Sequence, residues 1–77
     1  MTDTVRLQDL EAQAEAAYTR MYDAHDATEA AARYSDAKEA LYDAIGLARS
    51  LGKADAVAQL EERLAHIKAV FRSQFST

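Results

Sequence analysis

The chain has 77 residues, a net charge of −4, and neither cysteine nor proline. Disulfides and thiolate metal sites are therefore excluded, and the negative charge disfavours nucleic acid and anionic membrane as partners. A single small domain spanning 1–77 is expected. A chain this short buries only about 60% of the surface its unfolded form exposes, so it gains from very regular helix packing, oligomerisation or both.

Alanine supplies 18 residues, glycine only two, Gly46 and Gly52. Alanine is the strongest helix former, and glycine and proline are the weakest. The β-branched apolar residues are few: Val5, Ile45, Val57, Ile67 and Val70. An all-α chain follows. No apolar run approaches the roughly 18 to 20 residues of a membrane span. The start, Met-Thr-Asp-Thr, shows no basic region followed by an apolar core, so a cytoplasmic location is expected.

Three helices in an up-down-up arrangement are predicted, over about 4–32, 35–51 and 54–75. In the first, Leu7, Leu10, Ala14, Ala17, Met21, Ala24, Thr28 and Ala31 recur in alternating steps of three and four, the spacing of a helix laid along another. Most of this seam is alanine, which lets backbones approach closely but buries little area. Beyond Ala31 the same phase would need Ser35 and Lys38, whereas the apolar pattern resumes one residue early at Tyr34. A break between Ala32 and Ser35 explains the slip, with Ser35 or Asp36 as the next cap. Asp26-Ala27-Thr28-Glu29 offers a competing break of similar form.

The second helix carries Ala37, Leu41, Ala44, Ala48 and Leu51 as its stripe, with Tyr34 just before it and Ile45 broadening the face. Gly46 interrupts it at a cost of up to about 1 kcal/mol against alanine, which suggests a close helix contact. Gly52 is expected to end it in the left-handed conformation. Arg49 complements the helix dipole there. The third helix has the richest apolar face, Val57, Leu60, Leu64, Ile67 and Phe71, with Val70 and Phe75 beside it. Ser76 and Thr77 are expected to fray.

Tyr34-Ser35-Asp36-Ala37, followed by Ala44 and then Leu51-Gly52, resembles the second helix of a tetratricopeptide repeat. In that family an aromatic residue, an alanine three positions on and a second alanine seven later let paired helices pack closely. The match covers residues 34–52. It implies a helical hairpin and a binding role, with no specific ligand.

Candidate chemistry is sparse. His25 has Glu29 one turn later, and His66 has Glu62 one turn earlier; two such pairs facing each other could hold a metal. Di-iron bundles want Glu-x-x-His twice plus two more glutamates, and that spacing is missing. Histidines in water beside a carboxylate are the simpler account. Arg63, Lys68 and Arg72 with Phe71 and Phe75 could suggest nucleic-acid or lipid contact, but the acidic whole favours a solvated helix face. No catalytic or metal-binding residue and no cofactor is assigned, and no enzyme activity is expected.

Tyr18, Tyr22 and His25 share one helix flank, followed by Asp26 and Glu29. Tyrosine offers a large apolar body with a polar tip, which suits a recognition face; it also suits a core edge with hydroxyls reaching water. At 1.5 Å per residue the predicted helices are about 40, 25 and 31 Å long, so the second stops about 15 Å short of the start of the first. Leu7 and Leu10 would lack cover there, and Phe71 and Phe75 would overhang at the other end. Uncovered apolar stripes mark interfaces. The interface candidates are thus Leu7, Leu10, Tyr18, Tyr22, Phe71 and Phe75. The expected function is an interaction module that completes a helical bundle as a homodimer. The alternative is a regulatory or adaptor subunit that docks a heterologous protein through the tyrosine and acid face of the first helix.

Overall fold

A computed structural model describes residues 2–75, and its architecture is three helices joined by short turns. Helix α1 spans Thr2–Tyr22, α2 Ala27–Ser50 and α3 Ala54–Gln74. Ser76 and Thr77 lie outside the described residues.

The predicted all-α, up-down-up order is found, but the first turn is displaced. It falls between Tyr22 and Ala27, at the Asp26 signal and not at Ala32 to Ser35. Asp26 is the N-cap of α2, with extended backbone, and its Oδ1 accepts a hydrogen bond from the Glu29 backbone N–H at 2.8 Å. The Glu29 carboxylate in turn accepts from the His25 backbone N–H at 2.9 Å. Two N–H groups near the helix start are thereby satisfied, one residue offset from the usual capping box. The buried stripe confirms the new boundary. It runs Leu7, Leu10, Ala14, Ala17 and Met21 in α1, then restarts at Ala30 in α2. Thr28 and Ala31, which the longer first helix would have buried, are exposed.

The second turn lies where Gly52 places it. Gly52 has φ 70°, the left-handed region that only glycine enters without strain. Its N–H donates to the Arg49 carbonyl, and the Lys53 N–H donates to the Ala48 carbonyl, both at 3.0 Å. These are the two bonds of a Schellman motif, and they satisfy carbonyls that the end of α2 leaves free. Asp55 and Arg72 sit in the first and last turns of α3, each favourable to the helix dipole.

The shift of one turn changes the proportions of the molecule. With 21, 24 and 21 residues, the helices are about 31, 36 and 31 Å long. The central helix is now the longest and spans the whole of α1. The overhang that would leave Leu7 and Leu10 uncovered does not exist. Both are core residues, 5% and 9% exposed.

Helix α2 packs against both neighbours, whereas α1 and α3 approach each other least. Among the described residues seven of the fifteen in the buried core are alanine, and Ala14, Ala17, Ala37, Ala40 and Ala44 all lie on α1 or α2. Small side chains let those two helices run close together. Leu60, Leu64 and Ile67 of α3 are larger, and α3 packs on α2 less extensively than α1 does. The outcome is a flattened molecule, 39 × 19 × 13 Å along its principal axes.

Replacing the cap, Asp26→Ala, is expected to destabilise the fold by about 1 kcal/mol. Urea denaturation followed by circular dichroism measures it, and an unchanged midpoint would show that the turn does not depend on this cap.

Candidate functional site: the aromatic end and the outer face of α2

At one end of the molecule, rings from all three helices meet. Tyr34 of α2 stacks on Phe71 of α3 with centroids 3.9 Å apart and planes nearly parallel at 2°. Phe71 is followed by Phe75 at 5.9 Å, and Tyr22 of α1 meets Phe75 edge-on at 5.8 Å. Tyr18 continues the series through Tyr22 at 5.3 Å and His66 at 6.2 Å. Such edge and offset contacts each contribute about 0.5–1.5 kcal/mol beyond area burial. Phe71 and Phe75 do not overhang as expected. They are half-buried, held by Tyr34 and Tyr22.

The tyrosines of α1 divide their duties. Tyr18 works inside the chain: the Arg63 guanidinium lies 4.9 Å from its ring centroid, and its hydroxyl is 3.5 Å from His66 Nε2. Arg63 also grips Glu15 with both prongs, at 2.7 and 2.6 Å. This pair bridges α1 and α3, the two helices that pack together least. Its side chains are 36% and 50% exposed, so its stabilisation is modest, about 1 kcal/mol or less. Tyr22 remains 45% exposed.

The histidines do not come together. His25 borders one shallow depression with Arg20, Asp23, Glu29 and Arg33, and His66 borders another with Gln59, Glu62 and Arg63. Among the described residues no three histidine, aspartate or glutamate side chains are placed to hold a metal ion. The three bases of α3 are likewise divided. Arg63 turns to α1, whereas Lys68 turns to α2 and donates to the Tyr42 hydroxyl at 2.9 Å.

Tyr42 and Gly46 belong to a surface that the sequence did not single out. Helices α1 and α3 both pack on one side of α2, leaving its other side bare. Ala31, Ala32, Ser35, Glu39, Tyr42, Asp43 and Gly46 are all exposed there. Tyr42 is a large aromatic residue off the Ala37, Leu41 and Ala44 stripe, and that displacement was the available signal. A Cβ added at Gly46 would meet nothing within 4 Å. The close contact expected at this glycine is therefore absent within the chain.

Hydrogen bonding tunes two phenols in opposite directions. The Lys68 ammonium beside Tyr42 holds its hydroxyl below the ordinary tyrosine range, aided by the positive charge of Lys68 and Lys38. The hydrogen bond to Tyr22 and partial burial push Tyr18 above that range. Lys68 is itself raised by its bond to Tyr42.

Two outcomes follow from this geometry. In an alkaline titration read by phenolate absorbance, Tyr42 is expected to ionise before Tyr18, and Lys68→Met is expected to move Tyr42 back up; a Tyr42 step unmoved by that change would refute the coupling. Gly46→Ala is expected to stabilise the isolated chain by about 0.5–1 kcal/mol, because the helix gains propensity and nothing is displaced; a loss of stability in urea denaturation would contradict it. Compared with known protein families, curated proteins and solved structures, the chain finds no match.

Proposed function

We propose that the chain is a non-enzymatic, cytoplasmic protein–protein interaction module that self-associates into a homodimeric helical bundle. The observation that carries this is the bare outer side of α2. The helix on which both neighbours are built is the longest of the three, and it is covered on one side only. A core in which seven of the fifteen described buried residues are alanine supplies little apolar area for a chain of this size. A second copy laid on α2 adds area where the chain's own elements cannot.

The heterologous adaptor reading has less support. Of the proposed tyrosine and acid face, Tyr18 is already engaged by Arg63 and His66 of the same chain, and Asp26 and Glu29 are engaged in capping α2. Of that face Tyr22 is the aromatic group left open, and it leans on Phe75. The resemblance to a tetratricopeptide repeat fits either reading. Ala37 and Ala44 are fully buried, as close pairing demands, and Tyr34 is occupied by Phe71.

Light scattering at micromolar concentration and low salt is expected to give the mass of two chains. The thermal midpoint is expected to rise with protein concentration, as it does for any fold stabilised by association. A one-chain mass together with a concentration-independent midpoint would sink self-association.

A further inference from the structure

The outer side of α2 is edged by charges of opposite sign. On the edge towards α3 stands Lys38, its ammonium 4.4 Å from the Tyr34 ring centroid. Next to it is Lys68 of α3, bonded to the Tyr42 hydroxyl. On the edge towards α1 stand Asp36, Glu39 and Asp43, which border a shallow depression with Gln13 of α1. Between the edges runs an exposed ridge containing Ser35, Tyr42 and Gly46. Among the described residues, Lys38, Lys68, Glu39 and Asp43 take part in no ion pair, and Asp36 has only a 3.5 Å contact with Arg33.

We infer that two copies associate through this face with their α2 helices parallel, about a two-fold axis that runs along them. The inference rests on the self-association proposed above and assigns its surface and direction. Symmetry settles the direction. A two-fold axis along the helices carries each edge to the opposite side, so the basic edge of one copy meets the acidic edge of the other. Lys38 then stands beside Glu39 of the second copy at nearly the same height, and Lys68 stands near Asp43 of the second copy. A two-fold axis across the helices makes them antiparallel and sets basic edge against basic edge and acid against acid. Like charges facing each other are penalised, and opposite charges fix register.

The ridge suits such an approach. Gly46 has no partner within its own chain, and in the pair its missing side chain lets the second helix come close beside Tyr42. The contact is narrow, one helix wide and about 36 Å long. It falls below the standard interface of about 800 Å² per partner. Its charged edges are exposed, so association is weakened by salt.

Because the chain has no cysteine, each one introduced reports a single position. Ser35→Cys and Gly46→Cys, made separately and oxidised with copper phenanthroline at low salt, are both expected to give disulfide-linked dimers, because every ridge residue faces its own copy across a parallel two-fold axis. Ala69→Cys, on the exposed side of α3, is expected to stay unlinked. In an antiparallel pair at most one of the two ridge positions faces itself. Linkage at only one of them, or at neither, therefore overturns the parallel arrangement; a two-chain mass in light scattering would then leave self-association standing. A one-chain mass overturns both. Glu39→Lys is expected to weaken association about tenfold, by replacing attraction with repulsion at the Lys38 contact. Adding Lys38→Glu to that variant is expected to restore it. A double variant no tighter than Glu39→Lys alone contradicts the pairing.

Discussion

The hydrogen bonds at Asp26 set the length of two helices together. Asp26 caps α2 through the Glu29 N–H, and Glu29 reaches back to the His25 N–H. Ending α1 at Tyr22 and starting α2 at Ala27 transfers about two turns from the first helix to the second. That transfer makes α2 long enough to cover all of α1, and it turns Leu7 and Leu10 from exposed ends into core. It also puts Tyr34 within α2, where it stacks on Phe71. Every later property of the fold, including which side of α2 is left bare, descends from where this turn falls.

The two interfaces of α2 are built on different principles. Towards α1 the buried residues are mixed, with Ala14 and Ala17 lying between Leu7, Leu10 and Met21. Towards α3 they are large, and Leu41 and Ile45 share a core cluster with Leu60, Leu64 and Ile67. Helices α1 and α3 come near each other at few points. Long polar and aromatic groups fill the distance: Arg63 with Glu15, Tyr18 with His66, and Tyr22 with Phe75. The aromatic end thus follows from an alanine-rich first helix as much as from any demand for recognition.

Helix identity, the Gly52 turn and the stripe of α3 were legible because each had a local cause: alanine content, a glycine able to take positive φ, and five large apolar residues in one phase. The first turn was not, because Asp23 to Asp26 holds no glycine or proline and alanines flank it on every face. Alanine fits a buried or an exposed position equally well, so Ala30 and Ala31 cannot be told apart by periodicity. The cap at Asp26 is visible as a motif, but the apolar phase favours a later break. Among the candidate residues, Tyr18, Tyr22, Phe71 and Phe75 converge on one end, whereas Leu7 and Leu10 do not reach the surface. The bare side of α2 is not legible in the sequence because it depends on which two sides are occupied, which is a property of the assembled helices.

The ties between α1 and α3 also bear on how the molecule assembles and opens. Glu15 and Arg63, and Tyr18 and His66, are each 48 residues apart in sequence, whereas the main packing joins helices that are neighbours along the chain. Local contacts form with little loop-closure cost, and chains dominated by them fold in microseconds to milliseconds. The hairpin of α1 and α2, closed by four residues and a tight alanine seam, is the natural nucleus. The ring and guanidinium contacts between α1 and α3 carry the higher loop-closure cost, which favours their closing after the hairpin. Those contacts also lie outside the buried core, with Tyr22 exposed and Arg63 and Glu15 partly so, and they hold the two outer helices together with less protection than the core has.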